Sequence, residues 1–317
     1  MSLALKLLIG LACLAVLLTV VTRWRAARYE ALIEAAFPPQ GRFLDVDGHK
    51  VHVVEMGSGP PVVLIHGASG STRDMSFKLA PALAENYRVI MFDRPGLGYS
   101  DRLNANGASL SDQAALLSAA TQQLGIEAPI VVGQSYGGGV ALAWGLDHPA
   151  AALVLVSGVA MPWDSPLDLQ YRVTSSRLGS WLVVPLITAF VPDSYVARVI
   201  ESIFTPQKVP DGYADKIGPG LILRRDSTRA NALQRANLLD EIKAQHVRYD
   251  DLTLPVEALH GDADTIVPLG THAGPFLEKV PQTQLTILNG VGHMPHQTHV
   301  ADVVSAIDRA AARAGLR

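Results

Sequence analysis

The chain of 317 residues is 49% hydrophobic and 17% charged, enough apolar mass for one large core and too much for a disordered polypeptide. A formal net charge of -3, with no Lys/Arg-rich run in the body of the chain, excludes the electrostatic footprint of a nucleic-acid-binding protein. One cysteine, Cys13, builds neither a disulfide framework nor a cysteine zinc site.

From Leu3 to Val21 the only charge is Lys6, and Arg23, Trp24, Arg25, Arg28 and Tyr29 follow at once. As a helix this stretch measures about 28 Å, the thickness of a bilayer's hydrocarbon, and the basic, aromatic cluster behind it suits the interface. Residues 1–28 are therefore expected to form a single-pass membrane anchor. A cleaved signal peptide fits less well, because no small-x-small site precedes the arginines and the arginines oppose export. Three arginines against Lys6 and the α-amine favour, by a narrow margin, a cytoplasmic catalytic domain. Residues 29–41, with "FPPQG" at their end, read as a linker.

Beyond the linker, "RFLDVDGHKVHVVEMG" reads as a hairpin turning at Asp47-Gly48. The β-branched runs "PPVVLIHG", "YRVIMFDRPG", "APIVVGQS" and "AALVLVSG" alternate with helix-like segments, the longest opening with Ser109 or Ser111 as its cap. The pattern resumes at "LPVEALHGD" and "TQLTILNG". Continuous apolar strands alternating with helices predict an α/β fold with a mostly parallel central sheet flanked by helices. Its core comprises residues 42–162 and 254–317. Residues 163–253 interrupt the alternation and are expected to form an inserted helical lid. Within it, Leu178 to Val191 reads first as a lid helix packed on the core, with a membrane-touching element or an acyl-pocket wall as alternatives.

In "VVGQSYGGGV" the hydroxyl of Ser135 falls between Gly133 and Gly137, at the carboxyl end of a strand and the start of a helix. Open parallel sheets bind ligands at that end. A sharp strand-to-helix turn exposes the serine, and side chains at the two glycines would collide as the backbone folds back.

Four motifs, "HGASGS", "FDRPGLGYSD", "GQSYGG" and the pair "HGDADTIVP" and "GVGHMPH", together resemble the α/β-hydrolase fold family, in particular its lidded serine esterases and C–C hydrolases. The resemblance covers about residues 42 to 312. It implies a nucleophile, acid and histidine in that chain order, which selects Ser135, Asp264 and His293. A serine hydroxyl needs such a base, itself oriented by a carboxylate. Asp262 and Asp164 are the competing acids, the first read as a loop brace and the second as a residue one strand earlier. The resemblance assigns the oxyanion hole to the backbone N–H groups of Ala68 and Tyr136, with Ser69 as an alternative donor. His66 reads as a loop brace, and Asp93 or Arg94 as the residue pinning the glycine-rich turn. His296 and His299, at three-residue steps from His293, lack an HExxH pattern, so no metal site is expected.

Epoxide hydrolases and haloalkane dehalogenases of this fold carry aspartate where this chain has Ser135. The serine points instead to acyl transfer followed by hydrolysis, which needs no cofactor. The expected substrate is a small molecule with an apolar acyl group. A C–C bond hydrolase of the meta-cleavage type using the same triad is the alternative, with Arg224 or Arg225 available to a substrate carboxylate. A non-catalytic receptor of the same fold is a third reading, opposed by the intact triad.

Overall fold

A computed structural model describes residues 2–317; Met1, and with it the α-amine weighed in the orientation argument, lies outside the described residues. The chain begins with α1 (Leu3–Ala36), capped by Ser2, whose hydroxyl accepts from the Leu5 N–H at 3.3 Å. Residues 29–36, expected in the linker, continue this helix: nothing between Arg23 and Ala36 breaks it, and it ends only at Phe37, ahead of Pro38-Pro39.

Eight strands follow: β1 (Arg42–Val46), β2 (His49–Met56), β3 (Pro61–Ile65), β4 (Arg88–Phe92), β5 (Ile130–Gln134), β6 (Ala152–Val156), β7 (Val256–Gly261) and β8 (Thr283–Leu288). They form one sheet in the order β1-β2-β4-β3-β5-β6-β7-β8. β1 and β2 run antiparallel to their neighbours and the other pairs are parallel, as the continuous apolar runs require. Asp47 (φ 52°) and Gly48 (φ 81°) make the left-handed turn between β1 and β2.

Four helices lie among strands β3 to β6: α2 (Thr72–Met75), α3 (Leu79–Leu83), α4 (Leu110–Gln123) and α5 (Tyr136–Asp147). Ser109, not Ser111, caps α4. Its hydroxyl accepts the Asp112 N–H at 3.0 Å while the Asp112 carboxylate accepts the Ser109 N–H at 3.1 Å.

The lid elements lie between β6 and β7: α6 (Leu169–Ser175), α7 (Arg177–Phe190), α8 (Asp193–Phe204), α9 (Tyr213–Ile217) and α10 (Arg225–Gln245). The chain closes with α11 (Ala273–Lys279), α12 (Pro295–Thr298) and α13 (Val300–Arg313). One face of the sheet buries Val140 and Trp144 of α5 and Leu117 of α4; the other buries Leu79 and Leu83 of α3 and Val303 and Ile307 of α13. The far end of the lid is not a separate lobe, because Leu238 and Ile242 of α10, with Tyr249 and Leu252 after it, belong to the first of these clusters. By contrast, Ile200 and Phe204 of α8 and Tyr213 of α9 make a small cluster with Met294, next to His293.

The segment Leu178 to Val191 is the lid helix α7. Val184, Pro185 and Thr188 face inward, while Leu178, Trp181, Leu182, Leu186 and Phe190 remain exposed. The second half of α1 packs against the lid: Glu30 pairs with Arg225 at 2.6 Å and Glu34 with Arg224 at 2.8 Å. A Cβ at Gly220 would stand 2.5 Å from the Tyr29 hydroxyl and 2.6 Å from Ile33 Cδ1, so a side chain there would have to displace both.

Inside α10, burial pushes the Glu241 carboxyl up to about 7, although it accepts the Leu110 N–H at 2.7 Å. The folded protein holds a proton that the unfolded chain releases near pH 4.3, so this contribution to stability is full below that pH and lost as pH rises through 7. Glu241→Gln keeps the acceptor and removes the charge. It is expected to raise Tm by about 2–4 °C at pH 8 and leave it unchanged at pH 4, read by thermal melts at the two pH values.

Candidate functional site

Ser135 sits between β5 and α5 with φ 52° and ψ -119°, a strained backbone for a residue with a side chain. The flanking glycines make the turn possible. A Cβ at Gly133 would meet the Gly137 carbonyl oxygen at 2.2 Å, and one at Gly137 would meet the Ile65 carbonyl oxygen at 2.3 Å. The turn aims Ser135 Oγ at His293 Nε2, 2.9 Å away in the loop after β8. His293 Nδ1 in turn lies 2.8 Å from Asp264 Oδ2, in the loop after β7.

Asp264 is fixed before it meets the histidine, since its Oδ1 accepts the N–H groups of Ile266 and Val267, each at 2.9 Å. Burial alone would raise its carboxyl, but His260, His293 and the Val267 N–H reverse this and hold it far below the usual carboxylate range. A charged Oδ2 accepts from His293 Nδ1–H, which leaves Nε2 unprotonated to accept from the serine hydroxyl. Ser135, Asp264 and His293 are only 8%, 5% and 6% exposed.

A model of the alpha/beta hydrolase fold family matches residues 60–182. The chain is 28% identical over 273 residues to 2-hydroxymuconate semialdehyde hydrolase of Pseudomonas putida, covering 83% of this chain and 90% of that one. A thermophilic esterase from Thermogutta terrifontis superposes with a TM-score of 0.69 at 23% identity, covering 86% of this chain and 99% of the esterase. A bacterial membrane phospholipase A superposes with a TM-score of 0.61 at 19% identity, covering 97% and 98%. This chain is an α/β-hydrolase fold protein.

The other carboxylates considered for this hydrolase are elsewhere. Asp262 Oδ1 accepts the Gly290 N–H at 2.6 Å and braces the turn after β8, while Asp164 is exposed where the chain leaves the sheet for the lid. His299 Nδ1 contacts the Thr298 hydroxyl at 3.0 Å, and His296 Nε2 faces Asp74 at 3.1 Å, so the two histidines engage separate partners.

Ala68 lies in the loop after β3, and that loop reaches Ser135: a Cβ at Gly67 would stand 3.0 Å from Ser135 Cβ. Tyr136 is the first residue of α5, so the helix supplies no acceptor for its N–H. The N–H of Ser69 is already committed to Asn231 Oδ1 of α10 at 3.0 Å, which removes Ser69 from the donors. Arg94 does more than pin a turn. Its Nε donates to the His66 carbonyl at 3.0 Å, Nη2 to the Gly67 carbonyl at 2.9 Å, and Nη1 to Gln234 of α10 at 2.7 Å. Its guanidinium also covers the Tyr136 ring at 4.2 Å. Asp93, beside it, accepts the N–H groups of Thr72 at 2.7 Å and Tyr99 at 2.8 Å. His66 is a brace: burial and the Arg94 charge push it down to about 4, so it stays neutral, donating from Nδ1 to the Gly67 carbonyl and accepting the Arg94 N–H at Nε2.

Two groups of supporting residues are joined by contacts that the motifs do not announce. His260 Nε2 donates to the Val267 carbonyl at 2.6 Å and stands 3.5 Å from Asp264 Oδ2, lining the acid's pocket. Below α12, Asp74 is a buried junction that accepts from the Tyr213 hydroxyl at 2.6 Å and from Gln297 Nε2 at 3.1 Å, besides facing His296. One carboxylate thus ties lid helix α9 to the segment that carries His293.

Proposed function

We propose that this protein is a membrane-anchored serine hydrolase that cleaves a carboxylic ester through an acyl-enzyme intermediate. The Ser135–His293–Asp264 relay, with separations of 2.9 and 2.8 Å, carries this reading. His293 takes the Ser135 proton as Oγ attacks the ester carbonyl, and the imidazolium is stabilised by Asp264. The N–H groups of Ala68 and Tyr136 receive the oxyanion. His293 then protonates the leaving alcohol and activates the water that releases the acid. Ester cleavage is favoured over the C–C alternative because Arg224 and Arg225, the two cations that the sequence offered to a substrate carboxylate, are paired with Glu34 and Glu30. The C–C reading keeps one observation in its favour, the likeness to 2-hydroxymuconate semialdehyde hydrolase. A panel of p-nitrophenyl esters of increasing chain length and a vinylogous diketone decides between them. Turnover of the diketone alone refutes the ester reading.

The apolar part of α1 supports the anchor: among the described residues it is the one helix long and apolar enough to cross a membrane, and its apolar stretch is unburied. The exposed face of α7 lies beside it, with Arg23 over the Trp181 ring at 5.4 Å and Arg25 over the Phe190 ring at 4.8 Å. This adjacency favours an apolar substrate drawn from the bilayer. A chain beginning at Arg23 is expected to leave the membrane fraction and keep its esterase activity. One beginning at Pro38 also loses Tyr29, Glu30, Ile33 and Glu34 and is expected to melt several degrees lower, about 2–4 °C for each kcal/mol lost. Recovery of the full-length chain, uncleaved, in the soluble fraction refutes the anchor.

A further inference from the structure

An open cleft of about 1170 Å³ lies between α1 and the lid, lined by residues of α1, the glycine-rich turn after β4, α7 and the first turn of α10, and by none of the triad. We propose that this cleft binds the phosphate group of an anionic phospholipid at the membrane surface, an inference that rests on the anchor reading above.

The charge of the cleft is unbalanced. Arg224 and Arg225 are neutralised by Glu34 and Glu30, but Arg23, Lys50, Arg102, Arg177 and Arg229 have no carboxylate within 4.0 Å among the described residues. Only Asp101 and Asp226 face them. Arg229 is held toward α7 by the Ser180 hydroxyl, and Arg102 bonds only backbone carbonyls, those of Asn104 and Ala105 at 3.4 and 3.2 Å. Burial and the Arg229 charge both lower the Arg102 pKa, and the Asp226 charge offsets them only in part. Planar guanidinium groups so placed suit a phosphate, which each can grip with two N–H groups.

One edge of the cleft already holds a carboxylate of the chain itself. The Glu30 carboxylate lies at the start of α10, accepting the Arg225 backbone N–H at 2.8 Å, Nε at 2.9 Å and Nη2 at 2.6 Å. The positive end of this 21-residue helix therefore already holds one anion and opens toward the cleft.

Depth identifies the source of the phosphate. Arg23 follows the apolar stretch by two residues and covers Trp181, so the cleft sits at headgroup height. Next to it the exposed Trp181, Leu182 and Leu186 offer apolar surface to acyl chains.

The test uses the full chain in detergent and ether-linked lipids, which have no ester to hydrolyse, with native mass spectrometry as readout. Phosphatidylglycerol is expected to be retained about tenfold more than phosphatidylcholine, and the triple change Arg102→Gln, Arg177→Gln, Arg229→Gln to abolish that preference. Arg177→Gln alone, at an exposed position, is expected to reduce it in part, and fluorophosphonate labelling confirms that each variant is folded. Equal retention of the two lipids, or an undiminished preference in a folded triple variant, overturns the proposal. Displacement of the lipid by millimolar inorganic phosphate or glycerol 3-phosphate overturns the lipid assignment in favour of a soluble phosphate ester. If the chain fails to enter membranes yet keeps the headgroup preference in detergent, the anchor reading falls and the anion site stands.

Discussion

Ser135→Ala is expected to abolish labelling by a fluorophosphonate probe and to lower ester turnover by on the order of 10⁴-fold or more, with little change in melting temperature. The serine hydroxyl is the group that meets His293 Nε2, at 2.9 Å, and no other nucleophile takes its place when it is removed. Alanine keeps a Cβ, so the strain of φ 52° stays as it was and the collisions avoided by Gly133 and Gly137 do not arise. Activity and stability should therefore separate in this variant. The same probe tests the receptor reading, since a scaffold without an activated serine leaves the probe unreacted. Labelling that survives the substitution places the nucleophile elsewhere and removes the basis for the acyl-enzyme.

The parts of the molecule legible in the sequence are those determined by neighbours in the chain. Strands β3 to β7 appear as largely apolar runs because a parallel strand covered on both faces needs no polar alternation. The turn at Ser135 is legible because both collisions it avoids follow from the spacing of Gly133 and Gly137. What was not legible depends on residues far apart in the chain. Arg224 and Arg225 read as groups available to a substrate carboxylate, but their partners Glu34 and Glu30 lie more than 180 positions earlier, in a helix expected to have ended. Asp74 meets His296 across 222 positions, and nothing around either residue in the sequence marks the other as its partner. The share of the inserted segment in the main core was hidden for a related reason: the polar composition of α10 masks Leu238 and Ile242, which complete that core. Long-range ion pairs and shared cores carry no periodicity that a short window can detect.

The choice of acid at His293 is the remaining test with a large expected effect. Asp264→Asn is expected to lower turnover by about 10⁴-fold and, because a carboxylate held far below its usual range stabilises the fold at neutral pH, to lower the melting temperature as well while the protein still folds. The two oxygens of Asp264 do different work. Oδ1 accepts the N–H groups of Ile266 and Val267, and an asparagine carbonyl placed there keeps both bonds. The amide nitrogen must then occupy the position of Oδ2, 2.8 Å from His293 Nδ1, where it donates and does not accept. Nδ1 is forced to become the acceptor, the proton moves to Nε2, and the imidazole presents an N–H to Ser135 where it should present a lone pair. Asp262→Asn retains an acceptor for the Gly290 N–H but loses the charge that strengthens that bond, so it is expected to cost about 1 kcal/mol of stability and little activity. Asp164→Asn, at an exposed position, is expected to change neither. Turnover and melting temperature measured for the three variants decide the matter. An inactive but well-folded Asp164→Asn beside an active Asp264→Asn would mean that the lid rearranges to bring the earlier carboxylate to His293, and that the relay seen between Asp264 and Ser135 is not the one that acts.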